Sequence, residues 1–141
     1  MSEFRLGLVR GNGARDAREL IARALRTWDV EDPDASLLLV VTELVENVYQ
    51  HTRGDGELRL ALRTGTVLVE VSDTSADLPL DGHARADPSQ GRGLALVRTL
   101  AATWGARPGS GGKVVWAELA LTPDGHPGAR RIASAPAAED R

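Results

Sequence analysis

The chain has 141 residues and a 42% hydrophobic share, enough for one packed domain. Its 17 basic and 20 acidic residues leave a net charge of −3, and its five aromatics (Phe4, Trp28, Tyr49, Trp104, Trp116) are scattered, which argues against a basic nucleic-acid face or a base-stacking platform. No cysteine is present, no run approaches the ~20 apolar residues of a membrane span, and the N-terminus lacks the basic-then-apolar pattern of a signal peptide, so a cytoplasmic domain is expected.

In chain order, Phe4, Leu6 and Leu8 alternate with polar or small residues, which predicts a strand over Glu3 to Val9. Gly11-Asn12-Gly13 turns into a first helix, whose apolar stripe is Ala17, Leu20, Ile21, Ala24, Leu25 and Trp28. Asp32 is the expected N-cap of a second helix, with Pro33 at its first position and an end near His51. After Gly54-Asp55-Gly56, the alternation of Leu58, Leu60 and Leu62 with charged residues predicts a strand with one wet face. Thr64-Gly65 predicts a tight hairpin turn, and Val67, Val69 and Val71 a returning strand that ends at Asp73. Thr74 to Gln90, about 17 residues with Pro79, Gly82 and Pro88, reads as a loop long enough to serve as a lid.

Gly91-Arg92-Gly93 then opens a third helix, expected from Leu94 to Trp104 with Gly105 as C-cap. A short strand over Ala106 to Pro108, a glycine turn and a last strand from Val114 to Leu121 follow. Residues 122–141 lack apolar period and read as a disordered tail. Strands paired in hairpins around helices predict an α+β fold: a two-layer α/β sandwich whose mixed, mostly antiparallel sheet carries its helices on one face.

Three groups of residues carry chemistry. The second helix begins with the run Leu37-Leu38-Leu39-Val40-Val41, apolar all round as in a buried helix, and then shows Glu43, Glu46, Asn47 and Gln50 as one polar stripe. An amide oxygen and a carboxylate one turn apart suit Mg²⁺ with phosphate and a base for a nucleophile. The same stripe is also what the solvent face of a surface helix looks like. Asp73 can accept a hydrogen bond from an exocyclic amine, or simply initiate a turn. Gly91, Arg92 and Gly93 at a helix start form an anion site, or a hinge without a ligand. Gly11-x-Gly13 is not a dinucleotide fingerprint, because Asp16 holds the third glycine position. His51 reads as a capping or packing residue.

Together these groups resemble the nucleotide-binding boxes of the GHKL ATPase superfamily. Thr42-Glu43-Leu44-Val45 with Asn47 and His51 resembles its N box, Asp73-Thr74-Ser75 its first glycine box, and Gly91-Arg92-Gly93-Leu94 its second. Gly112-Lys113-Val114-Val115-Trp116 resembles the last core strand. The resemblance runs from about Glu3 to Leu121 and is nearest the single-domain anti-sigma-factor serine/threonine kinases and their small ATP-binding relatives.

It implies the Bergerat ATP-binding fold over residues 1–121, with ATP and Mg²⁺ as cofactors. Asn47 would hold the metal, and Glu43 would be the general base for a partner's serine. Asp73 would accept from the adenine amine, with Ser75 in the same box, and Gly91, Arg92, Gly93 and Leu94 would meet the phosphates. The implied partners are an anti-sigma antagonist and a sigma factor, with homodimerisation a family expectation and neither nucleic acid nor membrane involved. The rival reading keeps ATP binding without transfer, as a sensing module. Two departures stand out: D-T-S replaces the more frequent D-x-G, and Val114 stands where many relatives place a threonine that helps hold adenine.

Overall fold

A computed structural model describes residues 2–9, 13–51, 56–73, 95–109, 112–123 and 130–133, without the side chains of residues 49–51. The elements are β1 (Glu3–Leu8), α1 (Gly13–Trp28), β2 (Val30–Glu31), α2 (Ser36–His51), β3 (Gly56–Arg63), β4 (Thr66–Asp73), β5 (Thr103–Gly109), β6 (Gly112–Pro123) and β7 (Arg130–Ile132), with a further helical stretch over 95–100. The strands run in the order β1-β3-β4-β6-β7-β2, with β5 also paired to β6. All pairings are antiparallel except β2 with β7. The expected α+β class with a mixed, mostly antiparallel sheet is therefore the one observed. Among the described residues, no helix is long and apolar enough to cross a membrane.

The predicted β3–β4 hairpin forms with Arg63 opposite Thr66, leaving Thr64-Gly65 as a two-residue turn. Gly65 adopts φ 82°, which a glycine accepts without steric cost. Alternation then sorts the side chains. Leu58, Leu60, Val67, Val69, Val71, Val115, Ala117 and Leu119 are all buried in the main core. The intervening Glu57, Arg59, Glu70, Trp116 and Glu118 are only partly buried, on the opposite face.

The helices cover the apolar face. α1 packs on β1, β3 and α2, while α2 packs on β4 and β6. Phe4 of β1 meets Trp28 of α1 edge-to-face at 5.6 Å. The Asp32 carboxylate accepts from the backbone N–H groups of Leu37 and Leu38, each at 3.2 Å. Its capping role is as predicted, but the helix begins at Ser36, because Ala35 holds a left-handed φ of 58° and the chain turns at Pro33-Asp34.

Three expectations are corrected. α2 is not buried all round: Leu37, Val40, Val41, Leu44, Val45 and Val48 form the buried stripe, whereas Leu39 is 41% exposed. The third helix does not reach Trp104. Helix is described over 95–100, Ala102 donates to the Glu118 carbonyl at 2.8 Å, and Thr103 starts β5. Pairing along β6 outweighs the helix preference of the Leu-Ala-rich sequence, as tertiary context routinely overrides propensity. Gly105 is accordingly not a cap. It lies in β5 opposite Trp116, where an added Cβ would sit 2.9 Å from the indole.

Within the expected disordered tail, Arg130–Ile132 forms β7, and Ile132 is 2% exposed in the core. Three residues show no period, yet pairing with both β6 and β2 gives them partners. Ile132→Ala should cost about 2–5 kcal/mol in denaturant unfolding, the usual range for emptying a buried isoleucine site. A cost near zero would show that β7 is not part of the cooperative unit.

The partly exposed face of the sheet carries an ion-pair ladder. Arg59 lies 2.8 Å from Glu70 and 3.0 Å from Glu3, and Arg107 lies 2.9 Å from the other Glu70 oxygen. Burial pushes the Glu70 carboxyl up, but hydrogen bonds from Arg107 and Arg59 outweigh it and hold the group below its ordinary 4.5. A carboxyl lowered on folding stabilises the fold above its unfolded value and loses that contribution as pH falls through the folded one. The stability difference between the native chain and Glu70→Gln should therefore shrink as pH is lowered below about 4.5. A pH-independent difference in thermal unfolding would refute this.

Candidate functional site

The polar residues of α2 lie on the shoulder of its buried stripe. Glu43 and Asn47, one turn apart, are half-buried, while Glu46 is exposed. The stripe therefore does not face the interior as expected. It divides, with the carboxylate and amide at the border of the core and Glu46 turned to solvent. The border suits polar function, because a side chain there keeps access to ligand without the full cost of burial. Gln50 and His51 lie outside the residues with described side chains.

Asp73 closes β4, in line with Val67, Val69 and Val71, so it sits on the helix-covered side of the sheet. α2 packs on that same strand, so the sheet–helix layer holds both the Asp73 carboxylate and the α2 shoulder. Asp73 is register partner to Lys113 of β6, and its Oδ2 lies 3.3 Å from Lys113 Nζ. The two side chains are 2% and 3% exposed. Two opposite charges in a dry layer are tolerable only together, since either one alone would be an uncompensated buried ion. Ser75, Gly91, Arg92, Gly93 and Leu94, expected around the phosphates, lie outside the described residues.

Over residues 12–119, more than half its length, the sequence matches the histidine kinase-like ATPase domain family. The chain belongs to that family. Histidine kinase-like ATPase domains bind ATP, so the GHKL resemblance holds at the level of the superfamily. No curated protein matches the chain.

In this ATPase domain Asp73 meets Lys113, which sequence reasoning left unassigned. Val114, singled out instead, is half-buried and alternates to the far side, with Ser72 and Arg107 as its register partners. The signal was present: counting back by two from the buried Leu119, Ala117 and Val115 arrives at Lys113. An open groove of about 620 Å³ lined by Glu3, Arg59, Arg63 and Arg130 includes none of Glu43, Asn47 or Asp73.

Asp73→Asn should destabilise the fold by about 3–5 kcal/mol, because it strands the buried Lys113 ammonium. Chemical denaturation measures this, and a loss below about 1 kcal/mol, the level of a surface pair, would contradict a dry ion pair.

Proposed function

We propose that this domain uses ATP and Mg²⁺ to phosphorylate a serine on a partner protein, as an anti-sigma-factor-like kinase that regulates transcription by partner switching. The observation that carries the reading is the half-buried pair Glu43 and Asn47 on one shoulder of α2, in a chain of this ATPase family. Asp73, on the same side of the sheet, supplies the acceptor for the adenine amine.

The donor set fits the cofactor. Mg²⁺ takes few protein ligands and several phosphate or water oxygens, and a single amide oxygen from Asn47 meets that preference. Among the described residues no three acidic, histidine or cysteine side chains gather as an all-protein metal site, so cation and nucleotide would bind together. When bound, the ion neutralises charge on the phosphates.

Asn47 would hold that ion, and Asp73 fixes the base. Glu43, one turn from Asn47, takes the proton of the serine hydroxyl. The serine oxygen bonds to the γ-phosphorus as its bond to the ADP oxygen breaks, and the step needs mainly alignment and charge compensation. Gly91, Arg92, Gly93 and Leu94 are assigned to the phosphates, and Ser75 to the base side. The partner is an antagonist protein that carries the target serine and competes with a sigma factor for the kinase.

Glu43→Ala should lower phosphoryl transfer to the antagonist by about 10²–10⁴-fold while ATP affinity stays near the native value. Radiolabelled ATP with the cognate partner measures transfer, and titration calorimetry measures binding. Undiminished transfer would remove Glu43 from the mechanism. Native ATP binding with no transfer to any partner would leave a sensing module instead.

A further inference from the structure

Of the chain's 17 basic residues, 16 are arginines, and the single lysine is Lys113. That lysine is among the least exposed polar side chains described, at 3%. It directly faces Asp73, the residue assigned to the base of the nucleotide.

Resting on the ATP-site reading above, we infer that Lys113 is the second polar anchor of the base pocket. Asp73 accepts from the exocyclic amine of adenine, and Lys113 donates to the neighbouring ring nitrogen.

Four features support this. Asp73 and Lys113 end the apolar rows Val67-Val69-Val71 and Leu119-Ala117-Val115, so the pair is the polar terminus of an apolar layer that α2 covers. A purine, apolar on its faces and polar on its edge, matches a polar pair at the end of such a layer. An ammonium carries three N–H donors, and the ion pair with Asp73 Oδ2 at 3.3 Å occupies one direction only. Lys113 also gives Asp73 an opposite charge beside it in a dry layer, where either group alone would be an uncompensated ion. Finally, adenine places a donor amine beside an acceptor nitrogen, complementary to an acceptor carboxylate beside a donor ammonium. Val114 takes no part, because it alternates to the opposite face of β6.

The test compares binding of Mg²⁺-ATP and Mg²⁺-1-deaza-ATP, which keeps the amine but replaces the ring nitrogen with C–H. Titration calorimetry is run on the native chain and on Lys113→Met. The native chain should prefer ATP by about tenfold or more, the size of one charge-assisted hydrogen bond in a desolvated site. Lys113→Met should bind ATP more weakly and bind the two nucleotides alike.

A merely structural lysine would weaken both nucleotides equally and preserve their ratio, which would overturn the inference. Equal binding of both by the native chain would overturn it too. So would tighter ATP binding by the variant, which would mean that Lys113 holds Asp73 away from the base. If ATP binds neither protein, the ATP-site reading itself falls, which separates that failure from the others. Lys113→Gln serves as a second variant if Lys113→Met does not fold, and the native-chain ratio remains a test without either.

Discussion

The contact between the buried stripe of α2 and strands β4 and β6 is the constraint on which the rest of the molecule depends. Leu37, Val40, Val41, Leu44, Val45 and Val48 are each at most 3% exposed and belong to one core cluster with Val67, Val69, Val71, Val115, Ala117 and Leu119. Burying each of these leucines and valines contributes on the order of 1.5–3 kcal/mol. The contact therefore fixes both the rotation of α2 and the register of the hairpin beneath it. Rotation puts Glu43 and Asn47 on the shoulder. Register puts Asp73 and Lys113 at the end of the apolar rows. A slip of one residue in β6 would turn Lys113 outward together with Val115, Ala117 and Leu119, so core and site are specified together.

Most of this frame was legible in the residues because it rests on period. The alternating leucines and valines of β3 and β4, and the Thr64-Gly65 turn, are local signals, and they form as read. What was illegible depends on distant partners. β2 and β7 have two and three residues, too few for any period, and exist through pairing with each other and, for β7, with β6. Trp104 and Gly105 follow a Leu-Ala-rich segment that looks helical until β6 offers a ladder. The all-round apolarity of Leu37 to Val41 suggested complete burial, but the sheet covers only one side and Leu39 remains exposed. Glu43, Asn47 and Asp73 were recognisable as a spaced set. Lys113 was not, because the last strand reads from Val114, two residues after its observed start at Gly112.

The Asp73–Lys113 pair shows how sheet register and the physics of burial act on the same atoms. Water cannot balance the charge of a carboxylate in a site only 2% exposed. A cation on the adjacent strand can, with a geometry set by sheet register rather than by a flexible loop. On the opposite face, Glu70 is held by Arg59 and Arg107 in a partly wet setting, where such pairs contribute little and salt weakens them. The two faces thus use the same chemistry for different ends.

The sheet also ends in ways that discourage strand recruitment. β2 presents two residues, β1 carries Glu3 and Arg5, and β5 holds Pro108, which has no N–H to offer a newcomer. Short, charged or proline-bearing rims are how soluble sheets avoid templating fibrils. A second molecule approaching these described edges meets charge on β1 and a missing N–H on β5, both of which disfavour adding a strand there.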